Sequence, residues 1–189
     1  MKLSKKAEYG LRAMIDLGIA QSLEYEVVPL SELAEAENLP IKFLEQIMIE
    51  LRREGLVATQ RGKAGGYYVA KELSSIKIGQ IVRLLDGPLA PICCASQTAY
   101  ERCSCPDEEH CGLRMLMIDV RNAMSNILDR YSLHDVVEVT LRKIRRSGAD
   151  NYFMRMKNKA KESATRNNAA DPKDGFLAEL MNDLGDKSN

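Results

Sequence analysis

Apolar residues recur at helical spacing through the first part of the chain. Between residues 5 and 21 they repeat every three to four positions, which predicts a first helix that Ser4 caps. LSELAEAENLP predicts a short second helix, capped by Ser31 and ended before Pro40. IKFLEQIMIELRREG predicts a third helix with one apolar side, and Gly55 stands where a helix C-cap belongs.

After the third helix, the spacing of apolar residues changes from the helical period to the two-residue period of a β-strand. LVATQ and YYVAK are predicted to be short strands. The glycine-rich RGKAGG between them predicts a turn, because glycine accepts positive φ without steric cost. Three helices followed by a two-stranded hairpin is the order of a winged helix-turn-helix.

The second half returns to helical spacing around one irregular stretch. SSIKIGQIVRLLDGP predicts a fourth helix closed by Gly87, and the residues from 87 to about 108 are predicted to be a loop. CGLRMLMIDVRNAMSNILDRY predicts a long fifth helix. SLHDVVEVTLRKIRR predicts a sixth, with Ser132 and Asp135 at the spacing of a capping box. Polar, aperiodic sequence over 147–189 predicts a mostly disordered tail.

Composition narrows the class of protein. Hydrophobic residues make up 45% of the 189 residues, enough to bury a core. No apolar run approaches the roughly 18 residues that a membrane helix needs. The N-terminus is charged where a signal peptide is apolar. These features predict a cytoplasmic protein with no membrane partner.

The distribution of charge is more informative than the formal net charge of +0. Basic residues predominate in 2–12, 52–63 and 142–166, whereas residues 101–109 are mainly acidic. Local basic stripes on a neutral whole are typical of a protein that touches phosphate with one face, although solvated helix faces give the same pattern.

The predicted helix-turn-helix places particular side chains where DNA would lie. The second helix of such a unit enters the major groove with its N-terminal turn, which here carries Pro40, Lys42, Phe43, Glu45 and Gln46. Glutamine can read adenine, glutamate can accept from cytosine, and lysine can reach guanine or phosphate. The candidates for backbone contact are Lys2, Ser4, Lys5 and Lys6 near the start, with Arg61 and Lys63 in the wing. The alternative is a winged helix that binds protein rather than DNA.

All five cysteines lie between Cys93 and Cys111, inside the predicted loop. In a cytoplasmic protein such a group indicates metal binding more than disulfides. A zinc site needs C-x₂₋₄-C pairs, and this loop has none, so its uneven spacing better suits an iron–sulfur cluster. Adjacent Cys93 and Cys94 diverge, and the same holds less strongly for Cys103 and Cys105. Three or four thiols are therefore candidate ligands, with a thiol–disulfide switch or purely structural cysteines as alternatives.

An enzyme is not predicted. A nucleophilic cysteine needs a base. The two histidines, His110 in the loop and His134 near the start of the sixth helix, are poorly placed to be one, and no phosphate cradle is present.

Four stretches resemble one known family. MKLSKKAEYGLRAMIDL, LPIKFLEQIMIELRREGLV, RGKAGGYYVA and PLAPICC are similar to the iron–sulfur winged-helix regulators of the Rrf-two family, typified by IscR, NsrR and RirA, over about residues 1–135. The resemblance implies a homodimer paired through the helix at about 110–130 and bound to a palindromic operator. It implies a loop cluster, [2Fe–2S] or alternatively [4Fe–4S], whose presence or state changes DNA affinity. It also carries recognition roles to Lys42, Phe43, Glu45 and Gln46, with Arg61 and Gly62 in the wing.

The same resemblance implies which cysteines bind the cluster. With PLAP in the family's register, Cys94, Cys105 and Cys111 match the three cysteine ligands, although the first interval is longer. Family members carry a histidine ligand three residues beyond the last cysteine, where this chain has Arg114. Cys103 has no counterpart in the family and is expected to replace that histidine as the fourth ligand.

The expected protein is a dimeric transcription regulator, mainly α with a small β-hairpin. Its expected domains are a winged helix-turn-helix over 1–86, a cysteine-rich cluster loop over 87–111, a dimerisation helix with a C-terminal helix over 112–146, and a basic tail over 147–189. A metal-free thiol-redox regulator of the same fold and an iron–sulfur carrier without DNA binding are the alternatives.

Overall fold

The structure is a computed structural model that describes residues 2–62, 64–146 and 175–177. Its elements are α1 (Lys5–Ser22), α2 (Leu30–Ala36), α3 (Ile41–Arg53), β1 (Val57–Gln60), β2 (Gly66–Val69), α4 (Ile78–Asp86), α5 (Gly112–Arg130) and α6 (Leu133–Arg146). Short 3₁₀ turns lie at Leu73–Ser75 and Cys93–Ala95. The predicted fold class, mainly helical with a small antiparallel hairpin, is confirmed. None of the described helices combines the length and apolar character of a membrane span.

Local side chains account for several helix ends. Ser4 caps α1 by accepting a hydrogen bond from the Ala7 amide at 3.1 Å. Ser132 and Asp135 form the predicted capping box at the start of α6, in which Asp135 accepts from the Ser132 amide at 2.8 Å. The prediction that Ser31 caps α2 is wrong. That helix begins directly after Pro29, and it has no side-chain cap because the proline side chain carries no hydrogen-bond acceptor.

Helix α1 is the centre of the core. It packs against α3, α4, α6 and β2, and its buried apolar residues include Met14, Leu17 and Ile19. The last helix, α6, returns to this core and buries Leu133 and Val137 against it. The division of the chain into domains stays a prediction, but these contacts join α6 to the N-terminal half.

The hairpin is joined by a third short segment that the sequence pattern does not show. β1 and β2 pair antiparallel, with Val57 opposite Val69. Val28, just before α2, adds a bridge to Tyr67, in which the two residues exchange hydrogen bonds of 2.9 and 2.8 Å. The close approach requires glycine at Gly66, since a Cβ there would lie 2.4 Å from the Val28 carbonyl oxygen.

We expect Gly66→Ala to destabilise the protein by about 2–3 kcal/mol, because the added methyl meets backbone that cannot yield without breaking the Val28 bridge. Gly112→Ala is the matched control, since a Cβ at Gly112 meets no atom within 4 Å. Urea unfolding of the two variants measures the difference. Equal midpoints for both would contradict the close approach.

Helix α5 differs from the others because none of its residues is buried. It is attached to α4 by the Arg83 guanidinium, which donates to both oxygens of Asp129 at 2.7 and 2.5 Å. At its end, the Tyr131 carbonyl accepts from the Ile78 amide at 3.1 Å. One side of a long helix is therefore left without a partner among the described residues.

Two sequence-based expectations fall outside the described residues. Lys63, the second basic candidate of the wing, is one of them. The predicted disordered tail over 147–189 is the other, apart from residues 175–177, where the Phe176 ring meets Tyr131 edge-on with centroids 4.8 Å apart.

Candidate DNA-binding surface and cysteine loop

The first turns of α3 present the predicted recognition side chains to solvent. Lys42, Glu45 and Gln46 are exposed, whereas Leu44 and Ile47 are fully buried beneath them. The helical period alone produces this separation, because buried residues three and four positions apart leave the intervening positions outside. No acidic residue lies in the first turn of α3, so its positive dipole end is not neutralised there.

The turn between α2 and α3 is held by Arg12 of α1. Its Nε donates to the Glu37 carboxylate, and its second terminal nitrogen donates to the Glu37 carbonyl oxygen at 2.5 Å. Glu37 is buried, so this pair neutralises a carboxylate inside the fold. Asn38 follows with φ 51, the left-handed conformation that turns the chain out of α2.

Two further contacts fix α3 against α1. The Phe43 ring packs edge-on against Tyr9, with centroids 5.8 Å apart at an interplanar angle of 74°. Lys6 forms an ion pair with Glu50 at 2.7 Å. Phe43 is thus partly a packing residue, although it keeps 38% of its surface exposed at the proposed DNA side.

The basic candidates of the arm and wing are also exposed. Lys2, Ser4 and Lys5 are exposed where the chain enters α1, and the Lys5 ammonium contacts Glu8 at 2.8 Å. Hydrogen bonding to Glu8 raises the pKa of Lys5. Arg61 and Gly62 are exposed at the tip of the hairpin, where Gly62 has φ 121.

The five cysteines differ in exposure. Cys94 is buried in the 3₁₀ turn and Cys103 and Cys111 are half-buried, whereas Cys93 and Cys105 are exposed. The adjacent pair therefore diverges as the sequence suggested, with Cys94 directed inward and Cys93 outward. All five thiols are free of disulfides.

Four of these thiols interact with one another. Hydrogen bonding to the Cys103 thiol, together with the charges of Cys103, Cys111 and Cys94, raises the pKa of Cys105 to about 11. Burial raises the pKa of the Cys94 thiol, and Cys103 raises it further. Gathering thiols without a positive centre favours their protonated form, and a bound metal reverses that preference.

Across residues 2–62, 64–146 and 175–177, no three His, Cys, Asp or Glu side chains are arranged to hold a single metal ion. The donor set nevertheless fits an iron–sulfur cluster, because each iron takes two thiolates in [2Fe–2S] and one in [4Fe–4S], so three donors need not converge on one ion. Soft thiolates select iron–sulfur clusters, zinc or copper(I), and the loop offers four of them.

Helix α5 holds the cysteine loop through two arginines. Arg114 donates to the Cys94 carbonyl oxygen at 2.9 Å, and Arg121 donates to the Ala95 carbonyl oxygen. Arg114 occupies the position where the resemblance implied a histidine ligand. It binds backbone and, at 3.3 Å, the Glu108 carboxylate. Arg114 thus helps to hold the cysteine loop against α5.

Glu108 is a second attachment point within the loop. It accepts a hydrogen bond from the Tyr100 hydroxyl at 2.8 Å and from the Cys103 amide at 3.4 Å. Hydrogen bonding to Tyr100 lowers the pKa of Glu108, which keeps it charged opposite Arg114. The sequence did not indicate that Arg114, Arg121 and Glu108 hold the loop, because these roles depend on how the cysteine loop lies against α5.

Comparison with known proteins gives a consistent result. The family model for Rrf2, described as an iron-dependent transcriptional regulator, matches residues 3–139. An rrf2-like helix-turn-helix transcriptional regulator of Rhodobacter capsulatus is 34% identical over 137 residues, which are 71% of this chain and 91% of the relative.

Two solved structures are similar to this chain. One is CymR, described as the global cysteine regulator of B. subtilis, with a TM-score of 0.62 and 33% identity over 73% of this chain and 97% of that one. The other is T. potens IscR, with a TM-score of 0.57 and 31% identity over 73% of this chain and 87% of that one.

Proposed function

Because this chain belongs to the Rrf2 family of transcriptional regulators, as its motifs predicted, we propose that it acts as a homodimer on a palindromic operator under the control of an iron–sulfur cluster. Its relatives are transcriptional regulators and not enzymes. The cytoplasmic location stays a prediction. The observation that carries the cluster part of the proposal is that one loop holds all five cysteines, with Cys94 buried, Cys103 and Cys111 half-buried, and these three interacting with Cys105.

The DNA-binding part rests on α3 and its supports. Lys42, Glu45 and Gln46 are the proposed base contacts. Arg12 holds the turn before α3, and Lys6 pairs with Glu50 on the helix itself. Contacts to phosphate are assigned to Lys2 and Lys5 of the arm at residues 2–5 and to the wing at residues 61–63. Ser4 of the arm donates its hydroxyl proton to Asp86.

The cluster ligands we propose are Cys94, Cys103, Cys105 and Cys111, with [2Fe–2S] preferred and [4Fe–4S] as the alternative. A bound cluster would supply a centre that gains and loses electrons. The chain's own part is to hold the loop. Arg114 and Arg121 bind the carbonyls of the turn around Cys94, so a change in that turn acts on α5 directly.

The pairing surface we propose is the exposed apolar stripe of α5. It comprises Leu113, Leu116, Val120 and Ile127, which helical spacing places on one side. The opposite side carries the loop arginines and Asp129. A second copy of α5 would cover the stripe and bring two recognition helices to the two halves of a palindrome.

A metal-free thiol regulator is the second candidate. The similar structures include CymR, described as a global cysteine regulator, and a S. aureus CymR solved in an oxidised form, and neither description names a cluster. Family membership therefore does not assign the cofactor. The four interacting thiols of this chain support the cluster, and iron and sulfide analysis separates the two candidates.

Gln46→Ala tests the DNA-binding part. The operator is first selected from a random-sequence DNA pool with wild-type protein. We expect the variant to bind that operator about tenfold or more weakly, because one bidentate base contact contributes about 1–3 kcal/mol, and to bind unrelated DNA as before. Fluorescence anisotropy measures both affinities.

Gln80→Ala is the matched control for this test, since Gln80 is an exposed glutamine of α4, outside the proposed recognition helix. It is expected to leave operator affinity unchanged. If Gln46→Ala kept the full preference for the operator, the proposed recognition role of α3 would be wrong.

A further inference from the structure

The carboxylate of Asp86 binds Ser4, which lies 82 residues earlier in the chain. One carboxylate oxygen accepts from the Ser4 amide at 3.0 Å. The other accepts from the Ser4 hydroxyl. Asp86 is the last residue of α4, and Ser4 is the cap of α1, so this contact joins the ends of two helices.

The two bonds leave Ser4 little freedom. A serine hydroxyl has one proton to donate and lone pairs to accept. Here it donates to Asp86 and accepts from the Ala7 amide at 3.1 Å. Ser4 itself is extended, with φ −64° and ψ 160°. The direction in which Lys2 and Leu3 leave the helix is therefore set by Asp86.

Asp86 also stands at the entrance to the cysteine loop. The next residue, Gly87, has φ 81, a left-handed conformation that ends α4 and starts the loop. Helix α4 packs on α1 and is bonded to α5 through Arg83. The residue that holds the arm is thus the last residue of α4, directly before the loop that carries the thiols.

We propose that Asp86 is a positioning residue for DNA binding, which orients the arm at residues 2–5 toward phosphate and ties that arm to the start of the cysteine loop. The inference rests on the proposed function, because only there does the arm contact DNA. Its contribution is geometric. The charge of Asp86 by itself would lower the affinity for DNA, since a carboxylate close to phosphate repels it.

Because positioning and charge have opposite effects on DNA affinity, binding of Asp86→Ala to the wild-type operator tests the proposal directly. If Asp86 positions the arm, affinity falls about tenfold, as expected from losing a hydrogen-bonded charged partner. If the carboxylate acts only through its charge, affinity rises. Glu54→Ala, which removes one exposed carboxylate at the end of α3, is the charge-matched control and is expected to bind equally or more tightly.

A double-mutant cycle identifies the partner. Ser4→Ala removes the hydroxyl, and Ser4→Thr keeps it. We expect Ser4→Ala to weaken operator binding, Ser4→Thr to retain it, and the Ser4→Ala, Asp86→Ala double variant to bind no worse than the weaker single variant. Additive losses would overturn the proposal.

The salt dependence of binding separates positioning from a general loss of stability. Each lost phosphate contact lowers the slope of log affinity against log salt by about one. Asp86→Ala is expected to lower this slope by about one, because Lys2 is no longer held in place, whereas Lys5 keeps its ion pair with Glu8. An unchanged slope in fully folded protein would overturn the proposal.

A failure of the proposed DNA-binding function can be distinguished from a failure of the Asp86 inference. If wild-type protein bound no DNA, the proposed regulatory function would be wrong. The Asp86–Ser4 contact, called the clamp, would then be tested by exchange of the Ser4 amide hydrogen in NMR spectra. Faster exchange in Asp86→Ala than in Glu54→Ala would support the clamp. Equal exchange would overturn it.

Discussion

Replacing Cys94 with alanine is expected to remove the visible absorbance of protein purified without oxygen and to reduce its iron and acid-labile sulfide to background. Cys93→Ala is expected to leave both unchanged. The two residues are adjacent, but Cys94 is buried beside the other thiols whereas Cys93 is exposed. The pair is therefore a matched comparison in which only the direction of the thiol differs.

The same variants test control of DNA binding. Coupling between two sites typically changes affinity by about 5- to 150-fold, and we expect wild-type protein with and without its cluster to differ within that range. Cys94→Ala should bind the operator with one affinity in either preparation. Colour lost in Cys93→Ala, or retained in Cys94→Ala, would contradict the ligand assignment. Wild-type protein that stays colourless after reconstitution and forms disulfides on oxidation would instead support the thiol regulator.

The helices and the hairpin were predictable because each is specified by local spacing. The buried side of α3, with Leu44 and Ile47, follows from the helical period alone. The capping box at Ser132 is predicted by the identities of residues 132 and 135. The wing was recognisable from its glycines. Such local patterns predict secondary structure without any information on tertiary contacts.

The long-range contacts could not be predicted in the same way. The bridge from Val28 to Tyr67 and the clamp from Asp86 to Ser4 join segments far apart in sequence, and no spacing rule specifies such partners. Ser31 failed as a cap for a related reason, since the turn before α2 leaves the capping position to Pro29.

For the cysteine loop, the sequence predicted thiolate ligands but not how the loop is attached to α5. Spacing narrowed five thiols to three or four, and resemblance selected Cys94 over Cys93, a choice that the difference in burial favours. That Arg114 holds the turn by its backbone depends on how α5 lies beside the loop, which only the structure provides.

Leu116→Asp is expected to convert the protein to a monomer and to weaken operator binding about a hundredfold or more. In a pair of α5 helices the new carboxylate would be buried against apolar side chains, at a cost of several kcal/mol for each copy. The fold should survive, because α5 has no buried residue, and the substitution costs only about 0.5 kcal/mol of helix propensity. Analytical ultracentrifugation and anisotropy measure the two effects.

Met115→Asp is the control that makes this result specific. Met115 and Leu116 are each 56% exposed, and they lie on the same helix about 100° apart, so only Leu116 belongs to the apolar stripe. The control should remain dimeric and bind the operator normally. If both variants dissociated, general loss of apolar surface would be the cause. If neither did, α5 would not be the pairing helix, and the palindromic operator would need another source of symmetry.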